Sequence, residues 1–258
     1  MVYTTLHHIP ALLVPQIFRH WIKISNGYQL DRIINGVINN PSNDSIGINP
    51  TILYEDRTIY VRIDGNDSNM GTANTASEAV RTLTQAARLA RMYINNGFNI
   101  KIMVGPGNFS DDAVVNIRDI FQDTGTYLSI EGVNSTDTIL PTLVCSNTNI
   151  TILNADLGRV YIADGRMTVH DCKLRSIDVN RSYAYIWNIV IKSTGDYTGL
   201  SVYFGGSLEY WNVSIAGNPT FSDAFISCYM NSYIYGWGNI SGTCTGKSIY
   251  LIMPLIYV

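Results

Sequence analysis

The chain has 258 residues, of which 46% are hydrophobic and only 14% charged, with a formal net charge of −3 and a pI near 5.7. That length suits one large all-β domain or two small ones, with ample apolar material for a core. The absence of any basic run excludes an electrostatic nucleic-acid binder, and the absence of a charge-free window of about 20 apolar residues excludes insertion in a membrane by a helix.

The first 50 residues are expected to form a separate head, with residues 51–258 a second domain. The opening MVYTTLHHIPALLVPQIF is apolar, but it lacks a basic n-region and is interrupted by Pro10 and Pro15. No secretory signal is therefore expected, and the protein is expected to be made in a cytoplasm. Two apolar-periodic stretches, Ala11–Ile24 and Tyr28–Ile38, predict short helices, so the head reads as partly helical. The turn-forming run Asn39–Pro50 is the expected linker.

Thr58–Ile63 alternates apolar and polar residues and predicts a strand. The loop Asp64–Asn74 begins like a calcium-binding loop, but Thr75 occupies the twelfth position where a bidentate Glu is needed, so a plain turn is expected. Thr75-Ala-Ser-Glu78 fits a capping box. It predicts a capping helix over about 76–95, with Val80, Leu83, Ala87, Leu89, Ala90 and Ile94 on one face and Asn96-Gly97 as its stop.

From about residue 98 the pattern changes to short strands. An eight-residue unit (apolar, x, apolar, x, Asn/Asp, x, x, apolar) recurs at Ile150–Leu157, Met167–Leu174, Ala184–Ile191 and Leu208–Ile215, with starts 17, 17 and 24 residues apart. Weaker versions stand at Leu128–Gly132 and Tyr235–Ser241. One such unit cannot bury its apolar face alone, whereas stacked units share a continuous core. This predicts an all-β fold, a parallel β-helix made of stacked turns. A β-sandwich of evenly spaced hairpins is the competing fold, disfavoured because tight turns such as Asn-Gly are missing between most strands.

Strand alternation sends unit positions 1, 3 and 8 inward and positions 2 and 4 outward. The fifth position, Asn154, Asp171, Asn188 and Asn212, suits a left-handed corner, where stacked side chains can form a polar ladder. His170, Trp187 and Trp211 then share one outward column, with Tyr185 and Glu209 beside it. Outward aromatics of this size have three explanations: a subunit interface, a sugar-binding groove, or a loop folded over them.

Catalytic residues are not identified. Glycoside hydrolysis needs two facing carboxyls, and lyase chemistry needs a base beside a charge-neutralising group. Glu209 is the one Glu in the repeat zone and a weak candidate. Asp156, Asp164, Asp171 and Asp178 are available, but no spacing singles out a pair. No metal site and no cofactor are expected. Cys145, Cys172, Cys228 and Cys244 form no C-x-x-C pair and read as small apolar fillers, and the four histidines lack ligand spacing. Gly242-Thr-Cys-Thr-Gly246-Lys247-Ser248 is one residue short of a phosphate loop.

The segment from Ile59 through the glycine-bracketed turn Val104-Gly-Pro-Gly107-Asn-Phe109 resembles the opening of phage tail β-helix proteins. There a strand, a D/G-x-N-D-S-N-x-G loop and a capping helix precede such a turn. Asn218–Tyr250 is similar to the family's closing pattern, Phe-Ser-x-Ala-Phe followed by Ser-Gly-x-x-x-Gly. The resemblance covers about residues 55–250. It implies a pectin-lyase-like, right-handed parallel β-helix in a tail spike or tail fibre. The implied assembly is a homotrimer in the virion, joined to other tail or baseplate proteins through residues 1–50 and touching cell-surface polysaccharide. Some relatives cleave that polysaccharide, so a depolymerase on the same scaffold is the alternative. Two departures stand out. Residues 1–50 match no recognised pattern, and the chain stops at Val258 where the family usually continues. The apolar SIYLIMPLIYV is expected to pack in a trimer or under a partner, or to mark a shortened gene.

Overall fold

The computed structural model describes residues 51–110, 114–118, 120, 122, 125–192, 198–221, 224–246 and 249–252, and within the first 50 residues only 23–24, 27–28, 33–34 and 37–38. The chain divides into two compact units, residues 1–50 and 51–258.

In the first unit the described segments are strands. Lys23–Ile24 pairs antiparallel with Gly27–Tyr28, and Ile33–Ile34 pairs antiparallel with Val37–Ile38. The expected helix over Tyr28–Ile38 is thus corrected. Ile33, Ile34, Val37 and Ile38 are all β-branched, which favours strand over helix, and Asn35-Gly36 between them is the dipeptide preferred in two-residue hairpin loops. Most of the helix expected over Ala11–Ile24 lies outside the described residues, and its last two residues are strand.

The second unit is mainly β, with one short helix, Leu83–Ala90, among the described residues. That helix is shorter than the expected 76–95, and its cap is Thr82 rather than Thr75. The Thr82 hydroxyl accepts from the Gln85 backbone N–H at 3.1 Å. The Asp67 carboxylate accepts from the Arg81 and Thr82 backbone N–H groups at 2.8 and 2.9 Å and from the Thr82 hydroxyl at 2.8 Å. The loop at residues 64–74 therefore fixes where the helix begins, by satisfying donors that would otherwise be open. Upstream of it, Val80 bridges to Val61, and Glu78 accepts from the Thr72 hydroxyl at 2.6 Å rather than closing a capping box. Gly65 permits the close approach, because a Cβ there would lie 2.5 Å from the Val80 carbonyl oxygen. Beyond the helix, Tyr93–Ile94 is a strand paired with Thr51–Ile52, so Ile94 leaves the helical face assigned to it. Leu83, Ala86, Ala87, Leu89 and Ala90 are buried against strands Arg57–Val61, Ile100–Val104 and Val114–Arg118.

The rest forms one curled sheet of 18 strands in which every pairing is parallel. This removes the antiparallel sandwich alternative. Arg57–Val61 is already a member, so the sheet begins before residue 98. Three columns of paired segments run through it. The first contains Ile100–Val104, Leu128–Glu131, Asn149–Leu153, Arg166–His170, the opening residues of Tyr183–Ile191 and Ser207–Ile215, and Tyr233–Gly236. A second, narrower column includes Thr138–Leu140, the start of Asp156–Ala163 and the start of Lys173–Asn180. The third includes Val114–Arg118, Thr142–Ser146, the ends of those two long strands, Leu200–Tyr203, Ile226–Tyr229 and Ile249–Ile252.

The 17-residue offset becomes the pairing register: Ile150, Ile152 and Leu153 lie beside Met167, Val169 and His170. Inward positions are fully buried, with Ile150, Ile152, Leu157, Val160 and Ile162 in one layer and Met167, Val169, Leu174, Ile177 and Val179 in the next. Each such aliphatic burial contributes roughly 1.5–3 kcal/mol, and only neighbouring layers make it complete.

The corners turn by left-handed residues. Asn154, Asp171, Asn188 and Asn212 have φ of 57°, 54°, 52° and 53°, as their residue types predict. The ladder is realised at one step, where Asn188 Nδ2 donates to Asp171 Oδ1 at 3.1 Å. A second left-handed corner follows the third column, at Asn147, Asp164, Arg181, Phe204 and Met230. Cys145, Cys172 and Cys228 are buried free thiols, and burial pushes the first two up to about 12.

Candidate functional site

The outward side of the first column carries three parallel lines of side chains. One line runs Leu153, His170, Trp187, Trp211; beside it runs Thr151, Thr168, Tyr185, Glu209, Tyr235; the third is Asn149, Arg166, Tyr183, Ser207, Tyr233. The register therefore brings together all five residues singled out from the sequence: His170, Trp187, Trp211, Tyr185 and Glu209. It does so because Ile186, between Tyr185 and Trp187, is held inward at 0% exposure and strand alternation turns its neighbours out.

The rings pack along the column. His170 and Trp187 are parallel, with centroids 4.1 Å apart and planes 6° from one another. Tyr185 tilts onto Trp187 at 5.0 Å. His170 Nδ1 lies 2.7 Å from the Asp171 carboxylate, which fixes the imidazole plane. That contact, with the Asn188 hydrogen bond, holds the Asp171 carboxyl below its ordinary value. Trp211 is 46% exposed.

Four aromatics of this face, Tyr183, Tyr233, Tyr235 and Trp237, were not assigned to it from sequence. Tyr235 pairs with Glu209 and so points outward, at 47% exposure, while Trp237, whose N–H donates to the Tyr210 carbonyl, is 65% exposed. Taking Tyr235–Ser241 as a repeat that starts at Tyr235 would have turned Tyr235 and Trp237 inward. The true unit starts at Ile234, and a one-residue slip exchanges the two faces. The misleading signal is Asn239, which looks like a corner. Gly238 occupies the fifth position instead, without the left-handed φ of the earlier corners, and a Cβ there would lie only 2.8 Å from the Asn212 nitrogen. Gly236, the register partner of Tyr210, is exposed, and a Cβ there would overlap the Tyr210 ring at 2.2 Å, so glycine makes space for the tyrosine. Tyr233 stacks with Tyr235 at 6.1 Å and 9°.

Glu209 is half-buried in the middle of these rings. The Tyr183 hydroxyl donates to its carboxylate, and burial followed by this bond raises the tyrosine above its ordinary value. Arg166 lies over the Tyr183 ring, 5.4 Å from its centroid.

The four aspartates considered for a carboxylate pair are engaged elsewhere: Asp156 with Lys192, Asp164 with Arg181, Asp171 with His170, and Asp178 with Arg159. None of these contacts joins Glu209. Among the described residues no group of three His, Cys, Asp or Glu comes together, and no helix is long and apolar enough to cross a membrane. Comparison with protein-family models, with curated proteins and with solved structures finds no match.

Proposed function

We propose that residues 51–258 are a right-handed parallel β-helix serving as the shaft of a phage tail spike or tail fibre, and that its aromatic face binds host-surface glycan. The 17-residue register, the left-handed corners and the helix at the start of the sheet support the β-helix reading. The observation that carries the binding reading is the flat His170–Trp187 stack continuing in register to exposed Trp211. Rings presented in a row one strand spacing apart, about 4.8 Å, offer successive apolar faces to a polymer. Glu209, Tyr183 and His170 supply hydrogen-bonding groups alongside.

Binding rather than cleavage is the reading adopted, because the aspartates that could complete a carboxylate pair are already engaged, Asp156, Asp164 and Asp178 in ion pairs and Asp171 with His170 and Asn188. A homotrimer, attachment through residues 1–50 and a place in the virion complete the proposal. Retention on immobilised capsule or lipopolysaccharide tests it. A Trp187→Ala, Trp211→Ala double variant should lose at least about tenfold in affinity with its circular dichroism unchanged. Full retention by that variant would contradict the binding role, and a clean monomer in light scattering would contradict the shaft.

A further inference from the structure

Resting on that glycan reading, we propose that the face selects sugars carrying a basic amino substituent, which Glu209 receives among the rings, and rejects acidic ones. Glu209 sits in register between Tyr185 below and Tyr235 above, with Trp187 and Trp211 at the next outward position of adjacent layers. One layer is about 4.8 Å, so a cation on the carboxylate falls within the roughly 6 Å over which a ring face attracts it. A carboxylate offers about four acceptor positions; Tyr183 occupies one. A protonated amine here gains a charge-assisted hydrogen bond and the ring faces together. A uronate at the same place meets a like charge. Among the described cations of this face, Arg166 is stacked on Tyr183 in a layer two removed from Glu209, and Lys101, further along the column, is paired with Glu131. Asp171, ionised beside His170, adds a second negative charge at the margin.

The test uses the full chain and three soluble oligosaccharides of equal length: a glucosamine oligomer, its fully N-acetylated counterpart and a galacturonate oligomer. Binding is measured by titration calorimetry at mildly acidic pH, where the sugar amine is protonated. The glucosamine oligomer should bind at least about tenfold tighter than the N-acetylated one, and the galacturonate weakest. Glu209→Gln should erase the preference for the amine over the acetamide, while the remote exposed Glu55→Gln keeps that preference. Equal affinity for amine and acetamide, tighter galacturonate binding, or equal loss in both Gln variants overturns the selectivity and leaves the glycan reading standing. If no oligomer binds, or if Trp211→Ala leaves every affinity unchanged, the glycan reading itself falls.

Discussion

The outer sides of the first and third columns obey the same alternation and end in opposite surroundings. On the first column the outward residues include large aromatics left open, such as Trp211 and Tyr235. On the third, four outward residues, Ser176 and Asp178 of one layer and Ser201 and Ser227 of the next two, are buried, Asp178 at 2% exposure, while Tyr161, Asn180, Tyr203 and Tyr229 stay half-buried. Alternation sets the direction of a side chain and not what covers it. The early layers step directly from the second column to the third within Asp156–Ala163 and Lys173–Asn180. The later ones insert residues 192–199 and 216–225 between them. Phe225, which ends the second insertion, lies so close to Gly199 that a Cβ there would be 2.6 Å from its ring, and Phe221 packs on it at 5.4 Å. The Asp178 carboxylate is held by Arg159 at 2.5 Å, while the Ser201 and Ser227 hydroxyls have no hydrogen-bond partner among the described residues.

The interior shared by both columns supplies the largest expected effect. Cys145 and Cys172 have folded-state values raised to about 12 by burial. Their contribution is complete below the unfolded thiol value and is lost as pH rises from about 9 toward 12, at roughly 1.4 kcal/mol per thiol per unit. Urea midpoints should fall over that window, and Cys145→Ala should flatten the slope while lowering the neutral-pH midpoint. Next, Arg159→Ala should destabilise by about 2 kcal/mol, less than a fully buried pair because the arginine is half exposed. On the open face, Trp187→Ala should cost about 1 kcal/mol through the lost stack on His170, and Trp211→Ala less than about 0.5 kcal/mol. Ser201→Ala should be neutral or stabilising by up to about 1 kcal/mol, since it removes an unpaired buried hydroxyl; a clear loss would show that the site holds a partner. The corners give a contrast of sign. Phe204→Gly should stabilise by a few tenths of a kcal/mol by relieving a left-handed φ of 52°, whereas Asn212→Ala should destabilise by about 1 kcal/mol. Thermal midpoints decide the signs.

These contrasts separate what the sequence carried from what it did not. The aromatic column was visible in it because Ile150, Met167, Ala184 and Leu208 recur with a residue at position five that tolerates the left-handed turn. The second corner was not, because Arg181, Phe204 and Met230 have no intrinsic preference for that backbone and are placed there by the layers around them. Trp237 was missed by a one-residue slip at Asn239, and the helix start by a side chain fifteen positions away, Asp67 on Thr82. In residues 28–38 the apolar spacing fitted a helix while the β-branched residues and Asn35-Gly36 favoured hairpins, and local conformation won. The burial of Ser201 and Ser227 at outward positions was not legible either, because a strand pattern gives the direction of a side chain and not what covers it.

The central claim is that segments 17 residues apart lie side by side in parallel, and engineered crosslinking tests it most directly. Thr151 and Thr168 are register partners on the outer side of the first column, so Thr151→Cys with Thr168→Cys should oxidise to an intramolecular disulfide detected by peptide mass. Thr151→Cys with Met167→Cys, which faces the interior, should stay reduced. Crosslinking of the second pair and not the first would contradict the register on which the aromatic face depends.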